Sequence, residues 1–242
     1  MSGRKFAVFD IDGTLIRWQL YHAIADALAR RGHIKPDSYQ AMRQSRMQWK
    51  KRVGGSSFKD YERQLILTYE EVLSTLSLEQ FNEAVDAVFD EYKDQVYTYT
   101  RQLLAQLKKD TYLLFAISGS QTEIVSKIAD YYQFDDYVGT IYEYKKNRFT
   151  GAKKIGSLNK AATLRALVKK HSATFDGSVA VGDSESDISM LKLVKTPIAF
   201  NPEGGLFEYA DKMGWDVVIE RKNMVYSLEK KNGRYKLAKA SG

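Results

Sequence analysis

Asp10 and Asp12 stand two residues apart at the end of Phe6-Ala-Val-Phe9, and Gly13-Thr14 follow directly. The aromatic and apolar run reads as a short buried strand that the glycine breaks. Residues two apart in an extended chain point to the same side, so two carboxylates converge at one strand end. Like charges that close are unfavourable unless a proton or a cation separates them. A hard divalent cation such as magnesium, which takes oxygen ligands, is the simplest resolution. An isolated Asp-x-Asp-Gly is more often an ordinary turn. Here two more apolar runs end the same way: Thr111–Ile117 runs into Ser118-Gly119-Ser120, and Ser178–Val181 into Gly182-Asp183-Ser184-Glu185-Ser186-Asp187. Three strands with polar, glycine-containing ends fit an open α/β sheet, which binds ligands at the carboxyl ends of its strands.

In that order, Asp10-Ile-Asp12-Gly-Thr14, Ser118-Gly119, Lys160 and Gly182-Asp183-Ser-Glu-Ser-Asp187 resemble the motifs of the haloacid dehalogenase superfamily, most closely the subfamily (IB) that includes phosphoserine phosphatase. The resemblance runs from residue 5 to about residue 220, apart from an insertion. It implies a Rossmann-like α/β core, a mostly parallel sheet flanked by helices, with a helical cap inserted after the first strand. It further implies a magnesium-dependent phosphatase acting on a small phosphorylated metabolite through an aspartyl-phosphate. Asp10 would be the nucleophile, and Asp12 would protonate the leaving oxygen and then activate water. Magnesium would be held by Asp10, the backbone carbonyl of Asp12, and Asp183. The Ser118 hydroxyl, the Gly119 amide and the Lys160 ammonium would bind phosphoryl oxygens. Asp187 would fix Lys160 or a metal-bound water instead of binding metal itself, Thr14 and Ser186 would support the site, and Glu185 would be solvated. Two alternatives stand beside this reading: phosphoryl transfer to an acceptor other than water, and a catalytically silent binding module using a basic cap and tail.

Three positions depart from the subfamily. Gly13 stands where a serine is usual and Ser186 where an asparagine is usual. The subfamily's glutamate for the substrate amine falls near Gln19, and no carboxylate occurs between Asp12 and Asp26. An ammonium-bearing substrate therefore lacks its expected partner, and Arg17, Trp18 and Gln19 are the places to look for substrate contacts.

The bulk properties narrow the field. A chain of 242 residues suits one large domain or one domain with an insert, and 44% hydrophobic with 28% charged residues is ordinary for a soluble protein. Without cysteine there is no disulfide framework, thiolate nucleophile or Cys-ligated metal. His22, His33 and His171 have no metal-ligand spacing. The apolar run after Lys5 is too short for a signal peptide, and no run approaches the roughly 20 residues of a membrane span. A cytoplasmic protein with no membrane partner is expected. The charge of +7 favours anionic partners in general. Nucleic acid stays a lesser alternative, because no helix-turn-helix, zinc finger or aromatic RNA-binding signature is visible.

The elements that must position these residues follow from spacing. Leu20, Ala23, Ile24, Ala27 and Leu28 mark an amphipathic helix that Gly32 stops. Residues 30–59 carry nine basic residues against Asp37, and residues 60–94 carry ten acids against Arg63 and Lys93. Pairing across adjacent helices or plain solvation accounts for these halves; the functional alternative is attraction of a phosphorylated substrate by the basic half. Gly54-Gly55-Ser56-Ser57 reads as a turn or mobile loop, without the Lys-Ser/Thr of a P-loop. Ser77-Leu-Glu-Gln80 and Ser120-Gln-Thr-Glu123 both match a capping box, the second predicting free amides near Ser118 and Gly119. The stripe Phe81, Ala84, Val85, Val88, Phe89 and Tyr92 is assigned to helix packing. Residues 138–151 read as a hairpin, and Ser157-Leu-Asn-Lys160 opens a helix with Lys160 in its first turn. The expected layout is a core at 1–16 and 96–222, a cap at 17–95, and a basic hairpin or frayed tail at 223–242.

Overall fold

The computed structural model describes residues 3–51 and 57–241, with the backbone alone for 57–59. The Gly54-Gly55-Ser56 stretch, read above as a turn or loop, lies outside the described residues. In chain order, β1 (Arg4–Phe9) leads to α1 (Leu20–Arg30), α2 (Pro36–Lys50), α3 (Ser57–Leu73) and α4 (Leu78–Tyr92). Then come α5 (Thr98–Lys109), β2 (Leu113–Gln121), α6 (Thr122–Tyr132), β3 (Asp136–Lys145), β4 (Arg148–Lys154), α7 (Lys160–Lys170) and β5 (Ala173–Gly182). A 3₁₀ turn at Glu185–Asp187 precedes α8 (Ile188–Leu191), β6 (Thr196–Phe200), α9 (Gly204–Met213), β7 (Asp216–Arg221), β8 (Met224–Lys231) and β9 (Arg234–Ser241). Among the described residues no helix is long and apolar enough to cross a membrane.

The chain divides into two compact units. One holds the residues up to Gln19, Tyr92–Thr140 and everything from Ile155 onward; the other holds Leu20–Glu91 and Ile141–Lys154. The first is the expected α/β core. Its strands run in the order β3-β2-β1-β5-β6-β7-β8-β9, parallel from β3 to β7 and antiparallel at β8 and β9. Phe9 is level with Ala116 on β2 and with Val181 on β5. That register brings the carboxyl ends of β1, β2 and β5 to one edge. One face of the sheet is sealed by Phe6, Val8, Phe115 and Ile117 against Leu164, Leu167, Met190 and Leu206. The Phe6 and Phe115 rings, both fully buried, stack at 5.6 Å; burying each such side chain contributes roughly 1.5–3 kcal/mol.

Residues 223–241 are a hairpin and not a frayed tail. Asn232 and Gly233 both take positive φ (53° and 75°), the geometry of a tight hairpin turn. β8 pairs along β7, and the Tyr235 hydroxyl donates to the Trp215 carbonyl at 2.9 Å. The basic residues of β9 lie exposed on the last strand.

The second unit packs four helices with a hairpin. The capping box at Ser77 forms as read: the Ser77 amide donates to Gln80 Oε1 at 2.9 Å and the Gln80 amide to Ser77 Oγ at 3.2 Å. Phe81, Ala84, Val85 and Val88 make the buried stripe of α4. The division corrects the expected boundaries in two places. Residues 141–154, expected in the core, group with the helices because Phe149 packs edge-on to Phe81 at 5.2 Å and Tyr142 edge-on to Tyr69 at 6.3 Å. The Tyr142 hydroxyl also donates to Glu70, which Lys153 pairs with in turn. Residues 17–19 and 92–95, expected in the cap, belong to the core. There the Arg17 amide donates to the Gln95 carbonyl (2.8 Å) and the Tyr97 amide to the Leu15 carbonyl (3.1 Å), a short two-stranded ribbon.

Arg30 meets Glu91 at 3.4 Å with both side chains about half exposed, a contact that contributes little. The stronger pair is more local: Arg46 forks onto Asp26 at 2.8 and 2.9 Å and donates to the Tyr61 hydroxyl at 2.8 Å. His22 lies beneath this group, edge-on to Tyr61 at 5.0 Å. Burial first, and the Arg46 charge second, push the His22 imidazole down to about 3. A buried imidazole that stays neutral while its unfolded counterpart charges stabilises the fold above pH 6.5, and that stabilisation is lost as pH falls toward 3. Denaturant titrations of the wild type and His22→Leu should therefore show a difference that shifts against the wild type as pH is lowered from 6.5, by up to about 4 kcal/mol. A difference between them that does not vary with pH would refute the assignment.

Candidate active site

The site begins in the turn that closes β1. The amides of Thr14, Leu15 and Ile16 all donate to the Ile11 carbonyl, and the Gly13 amide donates to Ile16. The turn needs glycine at 13, where φ is +82° and a Cβ would collide with the Asp183 carboxylate. The Asp10 amide is tied to the Val181 carbonyl at 3.0 Å, so β1 ends in register with β5.

Lys160 is the first residue of α7, whose start is capped by the Asn159 side chain accepting from the Ala162 amide at 3.0 Å. A cation at a helix start opposes the helix dipole, yet this lysine is 2% exposed. Its ammonium donates to Asp10 Oδ1 at 2.7 Å, to Asp187 Oδ1 at 2.6 Å and to the Ile117 carbonyl at 3.2 Å. All three N–H bonds have acceptors. Burial works against the ammonium, but the two carboxylates outweigh it and hold its pKa above the usual lysine value.

Asp187 is wholly buried. Its second oxygen accepts from the Asp183 amide (3.1 Å), the Ser184 amide (3.0 Å) and the Ser184 hydroxyl (3.0 Å). With one oxygen on Lys160 and the other on three donors, Asp187 is a brace for the lysine and for the loop after β5. Thr14 Oγ1 donates to Asp183 Oδ1 at 3.3 Å, and the Thr14 carbonyl accepts from the buried Thr100 hydroxyl at 2.9 Å. Ser186 is exposed and bonds Ser184, hydroxyl to hydroxyl, at 2.8 Å; Glu185 is exposed as expected.

Carboxylate oxygens of Asp10, Asp183 and Asp187 lie within 4.8 Å of one another, a spacing that oxygens sharing one cation adopt. Burial pushes Asp10 up to about 7, with the Lys160 charge opposing and Asp187 and Asp12 adding to the rise. Asp183 is raised well above the ordinary aspartate value, by burial first and then by Asp10 and Asp187. One ammonium does not balance this cluster, and a divalent cation would relieve the remaining repulsion. The donor set, hard oxygens with no nitrogen or sulfur, suits magnesium. Asp187 is already held by Lys160 and by three donors of its own loop, which leaves Asp10 and Asp183 as the less encumbered carboxylates for such an ion.

Ser118 and Ser120 lie on one face of β2 and meet Asp12. The Ser118 hydroxyl donates to Asp12 Oδ2 at 2.6 Å, and the Ser120 hydroxyl to Oδ1 at 3.0 Å. The capping box expected at Ser120 does not form. β2 runs on through Gln121, which pairs with Thr140, and α6 starts at Thr122 without a side-chain cap. Gly119 is exposed between the serines, its carbonyl accepting from the Thr140 hydroxyl at 2.8 Å.

The remaining candidates separate. Arg17 pairs with Glu220, whose side chain is 1% exposed, and stacks over the Tyr97 ring at 5.0 Å. Glu220 also accepts from the Thr98 and Tyr99 amides at 3.1 and 2.8 Å, so a carboxylate from β7 caps the start of α5. Arg17 is therefore anchored inside the core unit. Trp18 and Gln19 are half-buried, and the Gln19 amide nitrogen would stand 3.4 Å from a Cβ on Gly13, against the turn that carries Asp12. Ser120, Thr100 and Glu220 were not legible as site residues. The only sequence signal among them is the period-2 spacing of Ser118 and Ser120, which competes with the helix-start pattern at the same residues.

A sequence model of haloacid dehalogenase-like hydrolases matches residues 7–192. A putative hydrolase of Mycobacterium leprae is 29% identical over 146 residues, 58% of this chain and 48% of that protein. A phosphoserine phosphatase of Mycobacterium tuberculosis is 25% identical over 87% of this chain and 69% of its own length. The histidinol-phosphatase of Neisseria meningitidis is 24% identical over 89% and 98% respectively. The chain thus spans about half the length of the first of these relatives. Among solved structures, a Bordetella pertussis protein of unknown function superposes with a TM-score of 0.71 at 19% identity, covering 90% of this chain and 99% of that one. A phospho-aspartyl intermediate analogue of phosphoserine phosphatase superposes at 0.63 and 22%, covering 91% and 95%.

The buried ammonium yields a stability prediction. Lys160→Met leaves Asp10 and Asp187 facing each other without a counter-charge, and removing one partner of a buried ionic group costs about 3–5 kcal/mol. Urea denaturation should show a loss of that order; a loss below about 1 kcal/mol would mean that the ammonium does not hold the site together.

Proposed function

The chain belongs to the haloacid dehalogenase-like hydrolase family, and from that premise we propose that it is a magnesium-dependent phosphatase that hydrolyses a small phosphorylated metabolite through an aspartyl-phosphate on Asp10. The observation that carries the reading is the convergence of Asp10, Lys160 and the pair Asp183 and Asp187 from three separate segments into one buried charge cluster.

Phosphate monoester hydrolysis is slow in water because nucleophile and substrate are both anionic, so a catalyst must neutralise charge and align the attack. Magnesium, held by Asp10, Asp183 and the Asp12 backbone carbonyl, would supply charge neutralisation at the phosphoryl group. The Asp10 oxygen attacks phosphorus, and the bond from phosphorus to the leaving oxygen breaks. Asp12 gives its proton to that leaving oxygen. In the second half, Asp12 takes a proton from water, the water oxygen attacks phosphorus, and the bond to Asp10 breaks to release phosphate. As charge passes from Asp10 to the phosphoryl oxygens, the Lys160 N–H on Asp10 is the one placed to follow it, since the other two remain on Asp187 and Ile117. The Ser118 hydroxyl and the amide of Gly119 are the further donors assigned to the phosphoryl group. Thr14 steadies Asp183, and Ser186 lies outside the cluster, braced on Ser184.

No carboxylate lies between Asp12 and Asp26, which favours an ester without an ammonium beside its phosphate, and Gln19 is the neutral donor placed to contact it. Release of inorganic phosphate from 4-nitrophenyl phosphate tests the chemistry without knowledge of the natural ester. Magnesium should be required, chelator should abolish turnover, and Asp10→Asn should lower kcat by about 10³-fold or more. Turnover indifferent to metal, or retained in Asp10→Asn, would overturn the mechanism.

A further inference from the structure

Asp10 and Asp12 lie two residues apart but are held by different chemistry. Asp10 is gripped by the Lys160 ammonium, whereas each oxygen of Asp12 accepts a hydroxyl from β2, Oδ2 from Ser118 and Oδ1 from Ser120. An ammonium has donors only and favours an ionised partner; a hydroxyl both donates and accepts. A serine can therefore hold a carboxyl group in either protonation state, donating to the carboxylate and accepting from the acid. That property matches a residue that must lose and regain a proton in each turnover.

The two serines are not equivalent. Ser118 is level with the phosphoryl-binding end of β2 and, in the mechanism above, turns its hydroxyl to a phosphoryl oxygen. Its oxygen stays fixed because it accepts from the Ser120 amide at 2.9 Å. Once Ser118 has turned away, Ser120 keeps its hydroxyl on Asp12 Oδ1. Ser120 is 3% exposed, and it is placed by the extension of β2 through Gln121 that replaces the expected helix start. On this ground, and resting on the phosphatase reading above, we propose that Ser120 is a positioning residue for Asp12: it holds the carboxyl group oriented at the leaving oxygen during phosphoryl transfer to Asp10, and at water during hydrolysis of the aspartyl-phosphate.

The reaction itself supplies a test that a merely structural role would not move. Proton donation by Asp12 matters in proportion to the basicity of the leaving oxygen, and least for 4-nitrophenolate, which departs without a proton. Wild type and Ser120→Ala are compared on ring-substituted phenyl phosphates of nearly equal size, with kcat/KM reporting the transfer to Asp10. General-acid assistance is worth about 10²–10⁴-fold; Ser120→Ala disorients the acid without removing it, and should lose about tenfold more on phenyl phosphate than on 4-nitrophenyl phosphate. The comparison is a ratio within one preparation, so partial unfolding cancels. Equal losses on all esters, or no loss on any, overturn the role of Ser120 while leaving the phosphatase reading intact. A wild type that releases no phosphate from any ester of the series overturns the phosphatase reading and this role with it.

Discussion

One ammonium ion, buried and shared between two carboxylates, is the constraint on which the rest of the core depends. Lys160 stands at the first position of α7, where the helix dipole opposes a cation, and it is almost without solvent. Such a placement is stable only with acceptors on every N–H, and these come from the residue after β1, from Ile117 within β2 and from the loop after β5. Three strands must therefore present these acceptors at the same level of the sheet. The register of β1 with β2 and β5, and the tie from the Asp10 amide to Val181, put them there. The site is thus a consequence of how the lysine is satisfied.

The surplus of negative charge follows from the same arrangement. Asp187 spends both oxygens on bracing, one on Lys160 and one on the loop that carries Asp183. Asp10 shares the ammonium, and Asp183 accepts the Thr14 hydroxyl. Burial and mutual repulsion raise both Asp10 and Asp183 above the ordinary aspartate value, so the cluster is built to receive positive charge. A second buried charge does the opposite task. Glu220 follows the dipole preference of α5, caps its first amides and takes Arg17 as counter-ion. Where charge agrees with the helix it is structural; where it opposes the helix, at Lys160, it serves the site.

The motifs of the site were legible in sequence because each is local: a buried run, then acids or small polar residues at the point where the chain turns. The order of those motifs also announced the α/β core, helical spacing put Lys160 in the first turn of its helix, and the contact of Asp187 with Lys160 was one of two expectations for that acid. What was not legible depends on contacts far apart in the chain. Ser120-Gln-Thr-Glu123 satisfies the local rule for a helix start, yet β2 continues through it because Gln121 finds a partner in Thr140 and the Ser120 hydroxyl finds Asp12. A hairpin was read at 138–151 and expected with the core, whereas residues 141–154 group with the helices through Phe149 against Phe81 and Tyr142 against Tyr69. Glu220 gave no signal because an acid at a strand end is ordinarily solvated, and only its three donors, from residues 17, 98 and 99, explain its burial.

The central claim is that this charge cluster makes Asp10 a nucleophile toward phosphorus. Acid-quenching the protein during turnover of a phosphate ester with magnesium, followed by peptide mapping by mass spectrometry, addresses it directly. The account predicts a phosphoryl group on the peptide containing Asp10 and none in the protein quenched without ester. Turnover with no phosphoryl group on that peptide at any quench time, or a phosphoryl group on a residue outside the cluster, would contradict it.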